Sequence, residues 1–397
     1  MFFFQGLEVA NVFTGSNCLK LQESELLDDL IFFSRLLDLC ILFSKKPFSV
    51  FLKCSDCCPE DILFQKHKAE LFKPAFLLLH DKSSKCILLI VRGMHSIKDT
   101  LTAATGLAVT FHHSFFDEYG ATKVVLGYAH HGMVCAAHWI AKCATPYILK
   151  AIGRHPSYKV KIVGNSLGAG IAAILTYILR ERKEFSSATC IAFAPGMYYA
   201  CLTWDLAESG QNFITTIINC SDLVPTFSVV SADNLRLQVN LLSIIFVDRR
   251  RWVFKIRRIS SWSDSSVRTA PTRHSEKELW VELGKELRRR ETSGAGGGDE
   301  VNSASEIIWS KQPITADEIH FFPPGRIMHI VAEESDAIAS NSGGSSAGGP
   351  MVGIYETPRH LYGEIRLSPN MIKDHYMPAY KRMIDLMIEN SRRKESS

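Results

Sequence analysis

The chain lacks most of what would commit it to a membrane span or a secretory route. No run of it is long and apolar enough to cross a bilayer: the best candidate, residues 26–43, carries Asp28, Asp29, Arg35 and Asp38 and reads as an amphipathic helix. The opening Met1-Phe2-Phe3-Phe4 is apolar but has no basic flank and no long apolar run behind it, so it does not read as a signal peptide. The abrupt start is compatible with a longer protein whose upstream part holds an anchor. A strong charge of either sign is also missing, since the net charge is +4 over 397 residues, which by itself points to no partner. Disulfide spacing is absent too: the cysteines number 11, an odd count without a framework, so a reducing, cytoplasmic setting is expected, with peripheral membrane attachment compatible. Cys54, Cys57 and Cys58 form a CxxCC cluster with no second pair at finger-like spacing. A structural zinc needs four ligands, so ordinary thiols and no metal are expected there.

What is present is an apolar share of 46% against 22% charged residues, enough for one large core. From Pro74 onward strands and helices alternate: apolar runs at 75–80 and 86–91 read as a hairpin, 133–149 as a helix, 158–163 as a strand and 168–182 as a helix. Strands at 188–193 and 213–219 follow, then a strand at 326–331, another at 351–355 and a helix at 377–390. This predicts an α/β fold, a mostly parallel central sheet flanked by helices. Residues 1–73 read as a helical or irregular segment packing on a core domain of 74–390. An irregular, basic and Gly/Ser-rich insertion at about 236–318 and a flexible loop at about 333–350 interrupt that domain, and 391–397 is a polar tail.

Gly164-Asn165-Ser166-Leu167-Gly168 matches G-x-S-x-G, with a strand before it and an Ala-rich helix after it. A serine hydroxyl is a poor nucleophile unless it is held exposed beside a base, and a sharp strand-to-helix turn does this. Such a serine needs an acid and then a histidine later in the chain. Asp222, just past the strand at 213–219, is the favoured acid over Asp205 and Asp233, which have helix-like or surface contexts. The histidines that follow are His274, His320, His329, His360 and His375. His329 falls inside a strand pattern and suits a core role, and His274 and His320 lie in or beside the insertion. Spacing alone does not separate His375 from His360.

Residues 90–99, 164–170, Asn219 to Pro225 and Asp374 to Tyr380 resemble the lipase class 3 family, in particular its diacylglycerol-lipase-like plant branch, within the α/β-hydrolases. The resemblance runs from about 74 to 390 apart from the insertion. It implies an α/β-hydrolase fold, cleavage of lipid esters such as di- or triacylglycerols, no cofactor, and a triad of Ser166, Asp222 and His375. It also assigns the oxyanion hole to Met94 and Leu167. Two departures stand out. Met94 occupies a position usually held by Thr or Ser, which removes a hydroxyl donor and implies slow turnover; Asn165 stands where His is common, with little effect expected. Residues 105–116 are a candidate lid.

One further segment is unusual. Between Asp248 and Ile259 six basic residues face one acidic residue, with apolar residues interleaved. Phe246, Val253 and Ile259 stand at relative positions 1, 8 and 14, a spacing that suits the two lobes of calmodulin. An anionic membrane surface would accept the same pattern, so residues 241–262 are a candidate partner site for either, or a plain solvated insertion. No aromatic-studded basic sheet accompanies them, so nucleic acid is not expected. The alternative function is a weak or inactive hydrolase scaffold that binds calmodulin or a membrane.

Overall fold

A computed structural model describes residues 12–55, 57–105, 107–116, 122–196, 201–228, 230–237, 319–333 and 351–395. By internal contacts the chain divides into one unit of Met1–Leu235 with Pro313–Ser397 and a second of Arg236–Gln312. The basic segment at 241–262, His274 and nearly all of the two expected interruptions lie outside the described residues.

Along the chain, β1 (Leu19–Lys20) precedes α1 (Leu27–Lys45) and α2 (Phe48–Cys54). Next come β2 (Ile62–Lys66), β3 (Phe76–Asp81), β4 (Cys86–Val91), α3 (Ile97–Ala103), β5 (Ala108–Phe116) and β6 (Thr122–His130). The elbow region is α4 (His131–Arg154), β7 (Lys159–Asn165) and α5 (Leu167–Arg180), followed by β8 (Thr189–Phe193), α6 (Trp204–Ser209) and β9 (Ile214–Asn219). β10 (Arg326–Glu333), β11 (Met351–Glu356) and α7 (Met377–Glu395) complete it.

Nine strands form one sheet in the order β1-β11-β10-β9-β8-β7-β4-β3-β2. The five central strands β4, β7, β8, β9 and β10 run parallel, and antiparallel pairs close both edges. The composition of β4 explains its central place: Cys-Ile-Leu-Leu-Ile-Val has no polar face, so it is stable only when covered on both sides. Ile87, Leu89 and Val91 join the core under α4 and α5, whereas Cys86, Leu88 and Ile90 join the core under α1 and α7. Each fully buried Leu or Ile contributes about 1.5–3 kcal/mol. On the second face the two helices are also tied by polar contacts: Ser34 Oγ donates to Asp385 at 2.7 Å, and Lys381 reaches both Asp385 and Asp38. Arg35 clamps α1 to the β3–β4 hairpin, its two terminal nitrogens 2.7 and 2.8 Å from the oxygens of Asp81. Burial pushes the Asp81 carboxyl up, but the Arg35 fork and Ser84 outweigh it and hold it below the usual carboxylate range.

Two elements differ from the sequence expectation. Most of the candidate lid at 105–116 is β5, which pairs with β6 along its whole length from Ala108↔His130 to Phe116↔Thr122. Helix α4 runs on to Arg154 despite Pro146 inside it. Pro146 is exposed, while Ala144, Ile148 and Ala151 on the inner face are buried and hold the helix through the lost hydrogen bond.

Candidate active site

At the end of β7 the chain turns sharply into α5, and Ser166 sits at the turn with φ 53° and ψ −127°. A non-glycine residue rarely adopts this backbone, and the surrounding packing holds it there. The flanking glycines are required by close approach. A Cβ on Gly164 would stand 2.3 Å from the Gly168 carbonyl oxygen, and one on Gly168 would stand 2.5 Å from the Val91 carbonyl oxygen. The Ser166 amide donates to the Phe193 carbonyl at 2.9 Å, which anchors the turn to β8.

The residues that meet Ser166 come from two later loops. Asp222 follows β9, and His375 ends a short 3-10 turn, Lys373–His375, just before α7. Three bonds staple these loops together: Leu223 N to Met371 O at 3.1 Å, Asn219 Nδ2 to Asp374 O at 3.0 Å, and Ser221 N to the Asp374 carboxylate at 3.1 Å. His375 Nε2 thereby lies 3.0 Å from Ser166 Oγ, and its Nδ1 lies 3.1 Å from each oxygen of Asp222. Asp222 is 4% exposed and also accepts the Val224 amide at 2.9 Å and the Tyr380 hydroxyl at 2.6 Å. Burial, with Asp222 adding to it, raises the Asp374 carboxyl above its usual range.

The other candidates are elsewhere. His360 is exposed on the turn Arg359–Tyr362, and His320 is half-buried with its ring against Phe322. His329 in β10 is buried, with Nδ1 2.8 Å from the Tyr362 hydroxyl and Nε2 2.8 Å from the Cys220 carbonyl; burial pushes its pKa down to about 3. Asp205 lies in the first turn of α6, and Asp233 follows β9 on a helical stretch.

Register explains how Met94 and Leu167 come together. β4 and β7 are parallel neighbours with Val91 opposite Gly164, so Met94 and Leu167, each three residues further on, leave the same end of the sheet. The Leu167 amide is the first of α5 and has no intrahelical acceptor, which leaves it available to an anion. The Met94 side chain is exposed and its sulfur accepts the Thr100 hydroxyl at 3.2 Å. Asn165 has a larger part than expected: its Oδ1 accepts the Gly93 amide at 3.2 Å and ties the loop that carries Met94 to the elbow. Sequence reasoning also missed Tyr380, the clamp by Asn219 and the carboxylate of Asp374. Only the proximity of Tyr380 to His375 in the chain could have pointed to it. Among the described residues no group of three or more His, Cys, Asp or Glu is placed to hold a metal, and all eleven cysteines are free thiols.

A sheet of this topology with a strained serine elbow, a histidine and a buried aspartate defines the α/β-hydrolase class. The profile of the lipase (class 3) family matches residues 88–232, and this stretch belongs to that family. Human diacylglycerol lipase-alpha is 30% identical over 190 residues, covering 45% of this chain and 17% of that protein. Mouse diacylglycerol lipase-beta is 27% identical over 194 residues, covering 48% of this chain and 27% of that protein. The chain therefore spans well under a third of the length of these curated relatives. Among solved structures, the native Rhizomucor miehei lipase propeptide complex matches with a TM-score of 0.38 at 17% identity, over 52% of this chain and 65% of that one.

Proposed function

We propose that the chain hydrolyses lipid esters, with acylglycerols such as diacylglycerol as substrates, through Ser166, His375 and Asp222. The observation that carries this reading is the unbroken hydrogen-bond relay from Ser166 Oγ through His375 to Asp222 at 3.0 and 3.1 Å. Ser166 Oγ attacks the ester carbonyl while His375 Nε2 takes its proton, and Asp222 holds the ring and stabilises the imidazolium. The backbone amides of Met94 and Leu167 receive the oxyanion. His375 returns the proton to the departing alkoxide, and water, activated by the same imidazole, then hydrolyses the acyl-enzyme. The absence of a hydroxyl at Met94 predicts turnover about a hundredfold below that of an enzyme with one. The names of the relatives support the substrate class. The test is labelling with a fluorophosphonate probe alongside hydrolysis of diacylglycerol in mixed micelles. Wild type labels and turns over, Ser166→Ala and His375→Ala do neither, and a folded wild type that does not label overturns the reading.

A second reading has one observation in its favour, the thioether at Met94: a hydrolase scaffold of low activity that binds calmodulin or an anionic membrane through residues 241–262, working in the cytoplasm at a membrane periphery. Calcium-dependent binding of calmodulin to the full chain supports it, and no binding to calmodulin or to anionic vesicles removes it.

A further inference from the structure

One buried hydroxyl in the site has no part in the acyl transfer outlined above. Tyr380 lies in the first turn of α7, five residues past His375, and is 1% exposed, with its ring edge-on against Phe193 at 6.3 Å. A buried tyrosine needs some partner for its hydroxyl, and a backbone carbonyl suffices, as Leu206 O does for Tyr177. Tyr380 instead spends its proton on Asp222 Oδ2, at 2.6 Å. The Val224 amide is fixed on the other oxygen, Oδ1, at 2.9 Å. The carboxylate is therefore held by one rigid donor on each oxygen, and the His375 ring sits against both. Burial and the negative charge of Asp222 keep the phenol protonated far beyond neutral pH, so it remains a donor whenever the site is in use.

We propose that Tyr380 is a positioning residue for the acid of the site: its hydroxyl fixes the rotation of the Asp222 carboxylate and withdraws part of its charge, and so sets how tightly His375 holds a proton. The proposal rests on the reading that Ser166, His375 and Asp222 act together. The other ionisable groups nearby are Asp374 and Lys373 on the histidine loop and Cys220 at the end of β9. Asp374 turns its carboxylate to the Ser221 amide, so it cannot replace the phenol as a donor. A carboxylate relieved of a donor attracts an imidazolium more strongly, which raises the pH at which His375 becomes a free base.

The test is the second-order rate of fluorophosphonate labelling as a function of pH, with kcat and KM on a soluble ester. In Tyr380→Phe the ring and its packing remain. The maximal labelling rate and kcat are expected to fall about tenfold with KM little changed. The acid limb of the labelling profile is expected to move up by about half a pH unit. A folded Tyr380→Phe protein with the wild-type limb overturns the inference, even if its activity is lower, because packing loss alone leaves the limb in place. If Tyr380→Phe does not fold, 3-fluorotyrosine at position 380 keeps the shape and strengthens donation; the limb is then expected to move down, and an unmoved limb overturns the inference. Wild type that fails to label overturns the proposed function itself, a result distinct from either.

Discussion

His329 illustrates how a single side chain couples this fold to pH. Folded, its burial between Tyr362 and Cys220 lowers its pKa to about 3; His113 and His130, lowered first of all by burial, sit at about 4. Unfolded, each returns to about 6.5. Between those values the unfolded chain binds more protons, so stability is full above about pH 6.5 and is lost as pH falls below it. By pH 5 the loss from His329 alone is about 2 kcal/mol. Urea midpoints at pH 7 and pH 5 measure this, and His329→Gln, which removes the titrating ring, is expected to flatten the pH dependence. Asn165→Leu makes a different prediction, since it frees the Gly93 amide and loosens the loop bearing Met94. Activity is expected to fall about tenfold with the melting temperature nearly unchanged, read by steady-state hydrolysis and thermal denaturation. Ser166 and Asp222 were legible in the sequence because both are marked by local pattern, a strand followed by a turn. His375 was not separable from His360 by spacing, because what selects it is the stapling of two distant loops by Asn219 and Asp374. Tyr380 was illegible for the same reason: only tertiary packing turns its hydroxyl to Asp222.

Among the elements, α1 is tied to the β3–β4 hairpin by an ion pair from its middle. Arg35 crosses from α1 to the β3–β4 hairpin, where Asp81 is almost fully buried and Arg35 is 30% exposed. Arg35→Met leaves a buried carboxylate without its main partner and is expected to cost about 2–3 kcal/mol, less than a fully buried pair because the guanidinium reaches solvent. The double variant Arg35→Met with Asp81→Leu is expected to regain most of that, and both changes are read from denaturant midpoints. The central strands were legible because β4 is a continuous apolar run, and β7 and β8 are short β-rich runs, Val-Lys-Ile-Val and Cys-Ile-Ala-Phe at their centres, closed by turns. The β5–β6 hairpin was not. His112, His113 and Ser114 interrupt the apolar pattern of β5, and its stability comes from pairing with β6 and from contacts with α6. The edge strands β1 and β2 were missed because they are short and lack a buried face: both residues of β1 are exposed, and β2 has no fully buried residue.

At the scale of the molecule, α1 and α7 come from opposite parts of the chain and cover the same face of the sheet. Removing residues 1–46 would bare the face that Leu30, Leu36, Leu37 and Leu39 now bury. The shortened protein is expected to aggregate and to show no cooperative thermal transition, while the full chain melts in one step. Near-UV circular dichroism and size-exclusion chromatography give the comparison. The order in which the chain is made adds a further consequence. The proposed nucleophile and acid are separated from the proposed base by 209 and 153 residues. A ribosome that has delivered α5 and β9 holds two of the three groups in an inert polypeptide. The base arrives only with the histidine loop, directly ahead of α7, the helix that closes the sheet. Any chain released before that point lacks the proposed base and is expected to remain chemically silent.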